Sequence, residues 1–312
     1  MVGGAIFSGN ISVYNGTFSG NSSNGQGGAI ISTPGGTLTA YNNIFTRNPR
    51  GRTHPQYGGA GISNDEYGTV NSSYNLFYQN LDAGSTEDDC NNCTSNTNSI
   101  TGSNPNLLPL GYYGGPTETV TPQPGSPAIC AASASLIPSA VTTDQRGFSR
   151  TTDYNSTACV DLGAVQTDYT AVAFSSSSYA GVETLATSPA PVVTVTENGQ
   201  DIGGVPITPG YSGTGSPTGL GTVTTVGGTG ASFNSFTAPL AAQGTLSVSL
   251  PITASGNSVQ PAALTATASL NIQMGAQTIT FVQLYPVTYP VSPITLSATG
   301  GAPSASSLDL GR

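Results

Sequence analysis

Two short motifs recur together three times in the first eighty residues, and that recurrence restricts the chain to architectures built by stacking. Gly3-Gly4-Ala5-Ile6 returns as Gly27-Gly28-Ala29-Ile30 and, with one insertion, as Gly58-Gly59-Ala60-Gly61-Ile62. Each copy is followed by a Phe with an Asn three places on: Phe18 and Asn21, Phe45 and Asn48, Phe77 and Asn80. The residues just before each Phe match as well, as Asn15-Gly16-Thr17, Asn42-Asn43-Ile44 and Tyr74-Asn75-Leu76. The Phe residues lie 27 and then 32 apart. A unit of that size cannot bury a core alone, but turns laid about 4.8 Å above one another can. Equivalent residues then form columns. The expectation is an aromatic ladder of Phe18, Phe45 and Phe77 inside the coil and an amide ladder of Asn21, Asn48 and Asn80 at a turn. The Gly pairs are expected to let the backbone bend between faces. Residues 1–104 therefore read as parallel β-helix rungs.

This pairing of a GGA[ILV]-type element with FxxN resembles the repeats of chlamydial polymorphic outer-membrane proteins over about residues 1–80. Those proteins are autotransported adhesins, so the resemblance implies architecture more strongly than target. Met1-Val2 runs straight into Gly3-Gly4 with no basic or apolar leader, and the repeat is entered part-way. The chain is accordingly expected to be a piece of a longer protein.

From Asn104 the repeat stops and a different series begins: Asn104-Pro105-Asn106-Leu107-Leu108-Pro109-Leu110, Gly114-Gly115-Pro116-Thr117-Glu118-Thr119, Gly125-Ser126-Pro127-Ala128-Ile129, Asp144-Gln145-Arg146-Gly147-Phe148-Ser149-Arg150 and Asp161-Leu162-Gly163-Ala164-Val165. This order is similar to the C-terminal part of the choice-of-anchor Q β-helix proteins, whose motifs read PxLxPL, GGPTxT, GSPAI, DQRGxxR and DxGAxE. The match spans roughly residues 88–167, with Gln166 in place of the final Glu. It implies a bacterial surface protein and no catalytic residue. Asp144, Arg146, Arg150 and Asp161 could act as an acid and an anion clamp. The structural reading is preferred: Arg146 or Arg150 pairs with Asp144 or Asp161 to lock a cap, residues 105–167, over the last open rung, whose backbone groups would otherwise be unpaired.

After Asp168 the texture becomes Thr/Val/Ser alternation. Pro191–Glu197 alternates as a half-buried strand, and Asn198-Gly199 suits a type I′ hairpin turn. Further strands are expected at Gly203–Thr208, Gly221–Val226, Ala231–Phe236, Thr245–Pro251 and Leu264–Ile272, at sandwich spacing. With Val205–Thr208, Ser212–Gly215 and Thr265–Ala268, residues 168–274 resemble bacterial Ig-like domains of the invasin or intimin type. A second start over 275–312, beginning Gln277–Phe281, resembles the opening of another such repeat. No segment sustains a 3.6-residue amphipathic period for three turns. The expected fold class is all-β: a right-handed parallel β-helix with a C-terminal cap, then an Ig-like β-sandwich.

Composition narrows the function. Net charge is −9, only 7% of residues are charged, and the six basic residues are all Arg. Nucleic-acid binding requires a basic footprint that this chain lacks. The one basic cluster, Arg47, Arg50, Arg52 and His54, lies in a Pro- and Gly-broken stretch and reads as a solvated loop, with an anion contact as the alternative. No run of 18 apolar residues suggests a membrane span. Of the four cysteines, Cys90 and Cys93 are close and Cys130 and Cys159 are each alone. Structural disulfides, Cys130 with Cys159 and Cys90 with Cys93, are preferred to free buried thiols or to a metal or redox role. They point to an extracellular or outer-membrane location.

The rival to a structural or adhesin-like protein is a carbohydrate-active, pectate-lyase-like enzyme, since such enzymes use this coil. That chemistry needs paired carboxylates or an acidic Ca²⁺ site on a strand face. Residues 1–64 contain no Asp or Glu, and the nearest acids, Asp65-Glu66 and Glu87-Asp88-Asp89, read as solvated turns. A single His and no Lys leave almost no parts for a Ser–His–Asp triad or a Schiff base. A third reading, glycan or host-surface binding, draws on tyrosines such as Tyr57, Tyr67, Tyr74, Tyr78, Tyr112 and Tyr113. No catalytic, cofactor or metal residue is assigned. The expected partners are glycans or surface proteins.

Overall fold

The computed structural model describes residues 4–51, 58–64, 67–91, 93–154, 157–183, 185–238, 241–257, 259, 261–275, 280–281 and 298–299. Among them the helical element is a single 3-10 turn, Ala134–Leu136. The rest of the regular structure is strand.

Each passage of the first hundred residues contributes one short strand to each of up to three parallel sheets. The first turn supplies β1 (Ile6–Ser8), β2 (Ile11–Tyr14) and β3 (Thr17–Ser19). The second supplies β4 (Ile30–Ser32), β5 (Thr37–Tyr41) and β6 (Ile44–Thr46), the third β7 (Ile62–Asn64), β8 (Thr69–Ser73) and β9 (Leu76–Tyr78), and the fourth β10 (Cys93–Thr97) and β11 (Ile100–Thr101). The sheets run β1-β4-β7, β2-β5-β8-β10 and β3-β6-β9-β11. In-register pairing places Ile6 on Ile30 on Ile62, Ile11 on Leu38 on Val70, and Phe18 on Phe45 on Phe77. These columns converge on one buried core.

The phenylalanine rings stack at 5.0 and 5.2 Å between centroids, with interplanar angles of 7° and 10°. At the adjoining turn, Asn48 Oδ1 accepts from the backbone N and Nδ2 of Asn21, while Asn48 N and Nδ2 donate to Asn80 Oδ1. A second amide ladder, unread in the sequence, joins Gly16, Asn43 and Asn75 in the same manner at the turn before each Phe. The Gly pairs do more than bend the chain. Gly27 is left-handed (φ +63°), but at Gly28 the requirement is closeness, since a Cβ there would overlap the carbonyl oxygens of Asn48, at the end of the same turn, and Ala60, on the next.

Residues 168–275 form two further sheets around a common core. One contains β14 (Tyr169–Phe174), β16 (Val192–Glu197), β17 (Gln200–Asp201) and β21 (Ala231–Ser232); the other runs β15 (Ser178–Val182), β23 (Leu264–Gln273), β22 (Ala242–Leu250), β19 (Gly210–Gly213). β14, β15 and β19 had no strand signal in the sequence. β18 (Pro206–Ile207) pairs with β20 (Val223–Thr224). Asn198 and Gly199 both have positive φ, as the hairpin turn requires. Of the expected further repeat over 275–312, only the antiparallel pair Thr280–Phe281 with Ala298–Thr299 lies within the described residues beyond Gly275.

Residues 105–167, with β12 (Thr152–Tyr154) and β13 (Thr157–Cys159), join these two bodies. The sequence suggested a lid over the last rung. Instead, this segment lies along the outer face of the third sheet, where Ala128 and Leu162 cover Ile44 and Leu76. Strand alternation explains the correction: Phe45 points into the coil, so Ile44 must point out, and a second apolar face needs a second cover. Asn42 exchanges two hydrogen bonds with Ser133, Gly163 N donates to Asn42 O, and Ala164 N donates to Thr17 Oγ1. On its other side the segment bridges Ser126 to Thr253, and Leu108, Ile129, Tyr154 and the Cys130–Cys159 pair enter the core of the C-terminal sheets.

Candidate functional site

The charged residues singled out in the sequence gather where residues 105–167 meet β16. The turn Asp144–Phe148 closes with Asp144 N donating to Phe148 O. Asp144 Oδ1 accepts from the backbone N of Arg146 and Phe148, and Oδ2 accepts from Arg146 Nε and Gln166 N. Gly147, at φ +94°, allows this tight turn.

Arg146 donates with all five of its N–H groups. Besides Asp144, they reach the carbonyl oxygens of Tyr113 and Gln166, and both Glu197 carboxylate oxygens at 2.7 and 3.0 Å. The guanidinium also lies 4.8 Å from the Phe148 ring centroid. Burial works against its charge, and Glu197 and Asp144 more than offset this, holding its pKa up. Glu197 went unnoticed as a site residue, although the signal was present. The alternation that turns Val193 and Val195 inward carries Glu197 inward too.

Of the pairings the sequence left open between Arg146 or Arg150 and Asp144 or Asp161, Arg146 with Asp144 forms, at 3.0 Å, while Arg150 does not bond the Asp161 carboxylate. Arg150 Nη2 donates to the carbonyl oxygens of Asp161 and Gly163, and burial lowers its pKa. The Asp161 carboxylate instead accepts from Cys130 N at 2.8 Å and from Thr167 N and Oγ1, both at 2.7 Å. Three near donors fill its oxygens, so the guanidinium is left to the carbonyls. Burial pushes the Asp161 pKa up to about 6, with those bonds and Arg150 acting in the opposite direction. Gln166, where the motif resemblance has Glu, accepts from Asp161 N through Oε1 and donates from Nε2 to Thr152 Oγ1. Tyr154 donates to Thr167 O and accepts from Tyr169 N, and its hydroxyl pKa is raised, chiefly by burial.

Both disulfides are formed, Cys90 to Cys93 and Cys130 to Cys159, with Cα separations of 6.0 and 4.9 Å. Cys130, Cys159 and Asp161 could together offer metal ligands, but the sulfurs are bonded to each other.

The basic cluster separates. Arg50 is buried and its Nε donates to Asp88 Oδ2 at 2.7 Å, whereas Arg47 is exposed. Asp89 accepts from Asn80 Nδ2 and Glu87 from Gln79 N, so the acidic turn is bound into the coil rather than simply solvated. Burial, followed by the charges of Glu87 and Asp88, raises the Asp89 pKa against the Asn80 bond. Arg52, His54, Tyr57, Asp65 and Glu66 lie outside the described residues. Of the tyrosines, Tyr67 and Tyr112 are exposed and Tyr74 and Tyr78 are partly buried against residues 105–167.

No family model matches the chain, and no curated protein or solved structure matches it significantly. No helix among the described residues is long and apolar enough to cross a membrane.

Proposed function

We propose that the chain belongs to an exported, non-catalytic bacterial surface protein of adhesin type. In this reading a right-handed parallel β-helix presents a binding surface and bacterial Ig-like material forms a stalk. The motif resemblances supply the family, choice-of-anchor Q and polymorphic outer-membrane types followed by Ig-like repeats. The observation that carries the non-catalytic part is the fate of the motif charges. Asp144, Arg146, Arg150, Asp161 and Glu197 are all 7% exposed or less, and they bond to one another, to backbone and to Thr167. A general acid or an anion clamp must reach its substrate. These groups instead hold residues 105–167 against β16. The two disulfides favour an oxidising compartment.

The test is incubation of the chain with polygalacturonate and xylan, with and without Ca²⁺, following new reducing or unsaturated ends. No product is expected. Turnover abolished by Asp88→Ala would establish the glycan-active enzyme instead.

A further inference from the structure

A groove of about 490 Å³ lies between the outer edge of the third parallel sheet and residues 104–110 and 120–123. Small-molecule sites span about 300–1,000 Å³. In a chain of net charge −9, its lining holds no acid and one cation, Arg47. Three side-chain amides share the wall, Asn104, Asn106 and Gln123, and Leu110 is an exposed apolar member. Thr46, 2% exposed, also lines the groove, and its Oγ1 meets no hydrogen-bond partner among the described residues.

Arg47 is held in place at a conformational cost. The first-turn equivalent is Gly20 at φ +69°, the residue type such a backbone favours. The next two turns carry Arg47 at φ +53° and Gln79 at φ +52°. Arg47 Nε donates to Gln79 Oε1, and the guanidinium lies 5.9 Å from the Tyr78 ring centroid. Those contacts leave the Nη groups without a carboxylate among the described residues. Left-handed non-glycine residues tend to collect where function requires the side chain.

We propose that this groove binds carboxylated saccharides, with Arg47 taking the carboxylate. A guanidinium presents parallel N–H groups that match a carboxylate. Asn104 Oδ1 already accepts from Asn106 N, and Gln123 Nε2 donates to Leu107 O. The amide groups beyond these, with the Thr46 hydroxyl, offer the mixed donors and acceptors that sugar hydroxyls require, while the apolar wall suits C–H faces. This inference rests on reading the protein as a binder rather than an enzyme.

The test is saturation-transfer NMR and titration on the full chain with two matched pairs: 3′-sialyllactose against lactose, and a glucuronate-containing disaccharide against its glucose counterpart. At least one acidic member should bind and its neutral partner should not. Arg47→Gly, which suits the backbone, should weaken binding tenfold or more while melting no lower than the parent. Should that variant fail to fold, Asn106→Gly, at φ +45° on the opposite wall, carries the same expectation. Equal binding of neutral sugars, equal binding of an acidic tripeptide, or undiminished binding by the folded variant would overturn the proposal. Cleavage of a bound sugar would overturn the non-catalytic reading and leave this site standing.

Discussion

Arg146 and Glu197, 51 residues apart, meet through two hydrogen bonds that join residues 105–167 to strand β16 with almost no solvent contact. Glu197 Oε1 also accepts from Asp168 N and Asn198 Nδ2, so the pair anchors the β16 hairpin as well as the segment. Removing one member leaves the other charged and buried. Glu197→Leu should destabilise the protein by about 3–5 kcal/mol, and the double change Arg146→Met with Glu197→Leu should lose less than the sum of the two single changes, part of the Arg146→Met loss being the unpaired Asp144. Urea unfolding of the four proteins in a double-mutant cycle reads this directly.

Asp161 makes stability fall with rising pH. Its folded pKa, about 6, lies above the roughly 3.9 of an unfolded Asp. The native state therefore binds the proton more tightly. This contribution is fully present below about pH 4 and is lost as pH rises through about 6, a change of roughly 2–3 kcal/mol. Asp89 and Asp168, also raised, have the same sign. Asp161→Asn should flatten the difference between acidic and neutral unfolding curves, and an unchanged slope would assign the dependence to other groups.

The Cys130–Cys159 bridge closes a loop of 29 residues' separation in the shared core. Replacing both cysteines by Ala should destabilise by about 3–4 kcal/mol on chain-entropy grounds. The same change at Cys90 and Cys93, separated by three, should remove only about 2 kcal/mol. Thermal melts of the two double variants, with non-reducing peptide mapping of the parent, would show whether the order holds.

Asn48 satisfies two neighbours at once, taking Asn21's donors and giving Nδ2 to Phe18 O at 2.9 Å. Asn48→Ala strands those groups and should destabilise the coil by at least about 2 kcal/mol. Asn21→Ala, on the first turn, should have a smaller effect. Comparable losses in denaturant midpoint would count against a ladder that strengthens inward.

Gly163 packs on the third sheet at φ +91°, and a Cβ there would lie 2.6 Å from Thr17 Oγ1 and 2.7 Å from Ile44 Cδ1. Gly163→Ala should therefore loosen residues 105–167 from the coil while leaving the stacked turns in place. Hydrogen exchange should accelerate at Ala164 N and Ser133 N more than at Phe45 N.

The sequence by itself determined what repetition and alternation can encode. The spacing of the Gly pairs, Phe and Asn specifies which residues stack, because in-register turns put equivalent positions in one column, as Phe18, Phe45 and Phe77 show. The β16 hairpin was legible for a local reason, the Asn198-Gly199 turn after alternating residues. The loss of signal elsewhere also has a cause. Strands β14 and β15 read YTAVAF and SYAGV, mixtures of small, polar and aromatic residues with no run of alternating β-branched residues, and their pairing with β16 and β23 comes from distant residues. Only the tertiary structure decided that residues 105–167 flank the third sheet instead of closing its end, and that Arg146 takes Glu197 while Arg150 takes carbonyls. A motif records which charges are available. Their partners depend on which desolvated donors and acceptors the packed chain brings within about 3 Å, and that proximity has no local pattern to read.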